Sequence, residues 1–466
     1  MAMASGDTYQ QSGDLLAVDY LDRVIREGID ADQLTAVANG MSELSEFHGR
    51  LMPNPIFLGA EDSVLLGRRL HGIYDLLVTL PERRFNGSRT EYGRMLGLSE
   101  FQNAVVERAP HDKPPLMARA DLYRTDTGFA LLEMNTGSSL GGFVCAEINR
   151  ALATHPILAQ FVREKRLSWV DTADRMIGTA LAVHAERGGS LGTIALVDMP
   201  DTFPVYEKTI EIFAGLCRRS GLEVVVCHLG ELDETAGGLS YRGRNIDIVY
   251  RFFMLEYVNS AAEVEVLQPL LRAAESGAVT LLSPADADIY GYKAGLALLS
   301  EMVHTPDFDD RERESVTSLV PWTRRLHTVI DDPTGEPVDA LRLAIAQQSE
   351  LMLKPVLLHG GTGIIAGWSV EADEWRRTIE TSLDGPYIIQ QRVHPAPDLM
   401  LVDQTIGRMY CNLGVFLTAP TTTGATSYSG CAVRASNDPE VDVVSFNRGA
   451  LLGSCMVGPE PAVLTS

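Results

Sequence analysis

The sequence predicts a mixed α/β fold, and three observations carry that prediction. Apolar residues recur at helical spacing across the first hundred or so positions, through Leu15-Leu16, Val18, Leu21 and Val24-Ile25 and again through Val64-Leu65-Leu66, Leu70, Ile73 and Leu76-Leu77. A β-rich run, an amphipathic helical stretch and a second β-rich run follow one another over residues 193–227, the pattern of a βαβ unit with parallel strands. Between these regions two alternating runs, residues 116–123 and 129–135, flank Thr125-Asp126-Thr127-Gly128 and read as a β-hairpin with its turn.

Composition bounds what such a chain does. Its 466 residues, 45% of them hydrophobic, bury one or more large cores, and the length suggests about two to four domains. A formal charge of −23 argues against a nucleic-acid or anionic-membrane partner, because a phosphate-binding surface leaves a basic footprint. Six cysteines without C-x-x-C spacing read as buried small hydrophobes rather than as a disulfide framework or a zinc site. The opening residues are polar, without the basic and apolar regions of a secretory signal, and no run approaches the length of a membrane span. A cytoplasmic location is the expectation.

The hairpin carries the densest chemistry. Strand side chains alternate, so Arg119, Asp121 and Tyr123 share one face of the first strand, and Leu131, Glu133 and Asn135 share one face of the second. An odd register, set by a bulge that takes in the loop glycine, puts Asp121 opposite Glu133 and Arg119 opposite Asn135. Two carboxylates and an amide oxygen then form an all-oxygen ligand set of the kind Mg²⁺ prefers beside nucleotide phosphates. The alternative is a solvated hairpin face with a salt bridge. Phe129-Ala130-Leu131-Leu132 and Met134 weigh against it, since they suggest a strand buried on both faces, where polar groups need a metal or partners to offset lost hydration.

Further along, the small-residue loop Thr136-Gly137-Ser138-Ser139-Leu140-Gly141-Gly142 allows backbone N–H groups to approach a substrate or serves as an ordinary turn. Residues 143–150, 171–187, 206–220 and 261–276 read as helices, and residues 245–253 as a strand that ends near Arg251. No G-x-G-x-x-G follows the first strand of the βαβ unit, so a dinucleotide fingerprint is absent. Arg251 faces a cleft or makes a structural ion pair; the sequence leaves both open. Lys293 opens the helical stretch 294–302, a position the helix dipole penalises unless an anion lies nearby. Lys354 ends an apolar strand and precedes His359-Gly360-Gly361-Thr362-Gly363-Ile364, a loop able to cradle phosphate oxygens or to form a Gly-rich surface turn. Helices over 338–349 and 369–383 and strands over 387–393, 399–402, 409–417 and 430–434 complete the reading.

Arg119-Ala120-Asp121, with Glu133-Met134-Asn135 beginning twelve positions after the aspartate, resembles the metal-binding signature of circularly permuted ATP-grasp ligases of the glutathionylspermidine synthase-like group. The resemblance spans roughly residues 115–435 and implies the following assignments. Asp121, Glu133 and Asn135 hold Mg²⁺, and Arg119 steadies an acyl phosphate. Lys293, Lys354, Gly360, Gly361, Gly363, Gln390 and Arg434 bind ATP, with Gln390 on the strand lining the adenine pocket. The helical N-terminal region (1–114) lies outside the resemblance; for the rest it implies a first ATP-grasp segment (115–190), a Rossmann-like preceding domain (191–290) and the remaining ATP-grasp lobes (291–466). The expected activity is ATP- and Mg²⁺-dependent joining of a small-molecule carboxylate to an amine through an acyl phosphate. A small-molecule kinase or a regulatory nucleotide binder are the alternatives.

Overall fold

A computed structural model describes residues 6–109, 113–137, 140–190, 192–358, 360–419 and 426–459. Met117–Thr125 and Gly128–Thr136 pair antiparallel at one end of a sheet that, among the described residues, has seven strands. From the hairpin the sheet runs through Thr405–Thr418, Tyr428–Ser436, Leu451–Val457 and Ile56–Leu58. Pro397–Val402 also pairs with the early half of Thr405–Thr418. Ile56–Leu58 lies within the stretch expected to be helical, yet it runs parallel to Leu451–Val457 and joins the N-terminal region to the central sheet. Three residues are too few for alternation to be visible in sequence.

The hairpin register differs from simple alternation in an instructive way. Leu122 pairs with Leu131, but the next residue, Asp121, pairs with Glu133, and Leu132 is the extra residue. The expected pairing of Asp121 with Glu133 and of Arg119 with Asn135 is therefore present. Its bulge sits inside the strand rather than at the turn glycine. A bulge reverses the facing of everything beyond it. Leu131 accordingly packs into the core with Leu122 instead of sharing the face of Glu133 and Asn135.

A second sheet places four parallel strands in the order Thr280–Leu282, Ile248–Arg251, Ile194–Asp198, Val224–His228. Helices Phe203–Arg219 and Ala261–Glu275 lie in its crossovers. A third, antiparallel sheet orders Thr323–Arg325, Tyr387–Gln391, Leu351–Pro355 and Ile365–Ala366. Leu351, Leu353, Trp375, Ile379 and Ile389 give this lobe a core of its own. The helix expected over 338–349 is shorter, Ala340–Ala346, because Pro337–Asp339 pairs with Val329–Asp331 and the Asp339 side chain caps the helix. All six cysteines are free and buried. Among the described residues no helix is long and apolar enough to cross a membrane.

Candidate active site

The hairpin face, the antiparallel lobe and the segment that follows Tyr428–Ser436 enclose a cleft of about 420 Å³. Arg119, Asp121, Glu133, Asn135, Lys354, Gln390 and Arg434 all line it. Asp121 is 2% exposed and is held from two sides. Arg119 grips it with Nε to Oδ1 at 2.9 Å and Nη2 to Oδ2 at 3.1 Å, and Arg434 Nη2 reaches Oδ2 at 2.8 Å. Gly414 makes room for this clamp. It is the residue opposite Asp121 on the next strand, and a Cβ there would come to 3.1 Å from Arg119 Cδ and 3.2 Å from the Ala432 carbonyl.

Glu133 comes from the far side of the hairpin bulge. Its Oε2 lies 3.6 Å from Lys293 Nζ. Asn135 Nδ2 stands 3.4 Å from both Asp121 Oδ2 and Glu133 Oε1, so the two carboxylates converge on one point. Burial alone would raise the Glu133 carboxyl, yet Lys293, the contact with Asp121, Lys354 and Arg119 together hold it far below the usual carboxylate range. Lys354 is buried, and burial pushes its ammonium down to about 8 against the pull of Glu133. Its Nζ donates to Gln390 Oε1 at 2.6 Å and to the carbonyl of the bulge residue Leu132 at 3.4 Å.

Oxygen donors from Asp121 and Glu133, with the Asn135 amide between them, suit a hard cation. Heavy-atom shape does not distinguish the two ends of that amide, and turned over it presents Oδ1. Among the described residues no group of three or more His, Cys, Asp or Glu is placed to hold a metal. Two carboxylates are nonetheless the complement Mg²⁺ takes when phosphates complete its shell. Arg119, Arg434, Lys293 and Lys354 outnumber the two acids they surround, so the centre of the cleft favours an anionic ligand.

The other residues singled out from sequence fall in several places. Gly360 and Gly361 line the cleft at φ 65° and 82°, and Gly363 follows at 71°, backbone that side chains rarely adopt. His359, Ser138 and Ser139 lie outside the described residues. Gln390 is 2% exposed and its amide is spent within the lobe, accepting from Lys354 and donating to Thr323 Oγ1 at 3.0 Å. It therefore positions Lys354. Lys293 is the first residue of Lys293–Met302 and also donates to the Leu358 carbonyl at 2.6 Å. Arg251 sits away from the cleft in a buried two-point pair with Asp288, at 2.6 and 2.9 Å.

Sequence reasoning missed Asn412, which accepts from Arg434 at 2.7 Å and is registered beside both Tyr123 and Arg434. It also missed Arg392, stacked 4.1 Å over the Trp368 ring at the cleft wall. A polar residue at a cleft-facing position of Thr405–Thr418 was the available signal for the first; the second depends on a long-range contact and left none.

No family model matches this sequence, and no curated protein matches it significantly. Among solved structures, a glutathione synthetase-like effector from Globodera pallida is 12% identical, with a TM-score of 0.52 over 87% of this chain and 89% of that one. The two share a mixed α/β fold. Weaker likenesses are a γ-glutamylcysteine synthetase-like protein from Methylobacillus flagellatus (13% identity, TM-score 0.41, 85% and 87% covered) and a D-cycloserine synthetase (14%, 0.29, 59% and 93%).

Proposed function

We propose that the protein is an ATP-dependent carboxylate–amine ligase of the circularly permuted ATP-grasp type, forming an amide through an acyl phosphate on an amino acid or small peptide. The observation that carries this reading is the convergence, on one cleft, of a buried and a half-buried carboxylate, two arginines and two lysines from four separate stretches of chain. A permuted order accounts for carboxylates at 121 and 133 that precede the lysines at 293 and 354.

Asp121, Glu133 and the Asn135 amide would hold Mg²⁺, which supplies charge neutralisation to the phosphates. Lys293 and Lys354 place positive charge beside the transferred phosphoryl group, and the glycine loop offers backbone N–H groups to phosphate oxygens. Arg119, already fixed against Asp121, is oriented to steady charge on the activated carboxylate. The residues 351–355 and 387–391 offer strand backbone to the base. The substrate carboxylate attacks the γ-phosphorus and ADP leaves; the amine nitrogen then attacks the acyl carbon and phosphate leaves.

A coupled ADP-release screen of paired acids and amines, with mass spectrometry of the products, tests the proposal. The expected result is ADP formation with an amide product when both partners are present. ADP release without any amine, together with a phosphorylated acceptor as the final product, would overturn it in favour of a kinase.

A further inference from the structure

In the parallel sheet, the chain passes from Ile194–Asp198 to Val224–His228 on one side and returns to Ile248–Arg251 on the other. The crevice beyond the strand ends at such a reversal is where open α/β sheets take ligands. Asp198 closes the first of these strands and is 1% exposed. Its Oδ1 is fully used, accepting from the Met199 N–H at 2.8 Å and from Thr202 Oγ1 at 2.9 Å. Its Oδ2 has no partner among the described residues.

Asp198 lines a small recess of about 50 Å³, together with Phe143, Phe252, Tyr206, Tyr257 and Met254. Tyr206, Met254 and Gly141 line both this recess and the main cleft, so the two adjoin. Gly141 leads directly to the clamp, because its carbonyl accepts from Arg119 Nη1 at 2.7 Å. The turn that leads into the helix Phe203–Arg219 accounts for Oδ1 but leaves Oδ2 unexplained. An unsatisfied carboxylate oxygen among aromatic faces, in a space this small, is suited to a protonated nitrogen, by charge-assisted hydrogen bonding and by cation–π attraction.

We infer that Asp198 anchors an ammonium group on the non-reacting end of a substrate whose reacting end lies at the Arg119–Asp121 clamp. The inference rests on the ligase reading and adds a residue that selects the substrate. The ammonium belongs either to the acid or to the amine, and matched probes separate the two. Titration calorimetry on the full chain compares β-alanine with propionate, and 1,3-diaminopropane with propylamine. In one pair the wild type is expected to bind the ammonium-bearing member about tenfold more tightly, and Asp198→Asn is expected to abolish that preference while nucleotide binding is retained. Should Asp198→Asn fail to fold, Asp198→Glu takes its place, with a reduced preference expected. No preference in either pair for the wild type, or an unchanged preference in the variant, overturns the inference. These are binding measurements, so a chain that selects the probe yet releases no ADP would sink the ligase reading and not this one.

Discussion

Two Arg–Asp pairs, one within the hairpin and one at the end of the parallel sheet, differ in what they leave unspent. Arg251 binds Asp288 at two points and gives its other N–H groups to the carbonyls of Ser283, Phe253 and Pro284. Asp288 also accepts from the Leu255 N–H at 2.7 Å. Charge and hydrogen bonds are internally satisfied, and the pair fastens the parallel sheet to the turn Ala285–Tyr290. Arg119–Asp121 has the same chemistry but opens on a cleft, shares its acid with a second arginine and lies beside two lysines. Burying an Arg–Asp pair is therefore no sign of function; an excess of uncompensated charge around it is.

Removing an acid from each pair separates the roles most sharply. Asp121→Ala is expected to lower ADP release by about a thousandfold or more while the fold persists, because the metal loses a ligand and the arginines lose their orienting partner. Asp288→Ala leaves Arg251 buried and unpaired, so it should lower stability by about 3–5 kcal/mol in urea unfolding. The turnover of its folded fraction should stay near wild type. Equal losses of turnover per folded molecule in the two variants would erase the distinction.

Lys354 gives the cleft a pH signature. Its ammonium titrates near 8, below the ordinary lysine value, so the charge is present below that pH and disappears above it. ATP affinity should fall as pH rises through about 8, by up to about tenfold per pH unit, and Lys354→Met should flatten that dependence in calorimetric titrations. In the folding equilibrium the sign is opposite. The unfolded chain binds this proton more tightly, so Lys354 makes the fold more stable as pH rises from about 8 toward the ordinary lysine value.

Gly414→Ala is the gentlest probe. Its Cβ would press on Arg119 Cδ at 3.1 Å, and the expected cost is about 1 kcal/mol of transition-state stabilisation, with ADP release several-fold slower. A wild-type rate would show that the clamp tolerates displacement.

The comparison also explains what was legible in the sequence. Asp121 and Glu133 were readable because alternation, a turn signal and the R-x-D and E-x-N spacing coincide on neighbouring strands. The bulge at Leu132 was not, since an inserted residue leaves no compositional mark when the residues around it are equally apolar. Arg251 stayed ambiguous because its decisive partner, Asp288, is 37 positions away on a turn that no local pattern attaches to the strand. Asn412 and Asp198 were missed for a related reason. Their meaning comes from the strand neighbours they acquire, Arg434 in one case and the reversal of the parallel sheet in the other. Glu133 and Lys293, distant in sequence, meet only because the helix Lys293–Met302 packs against Gly128–Thr136.

Calorimetric titration of a non-hydrolysable ATP analogue in the presence of Mg²⁺, on the wild type and on Glu133→Gln, tests the central claim most directly. The account predicts one site on the wild type, tightened by Mg²⁺, and at least about tenfold weaker Mg²⁺-dependent binding in the variant. An absence of binding to the wild type, or equal Mg²⁺-dependent affinity in both proteins, would contradict it.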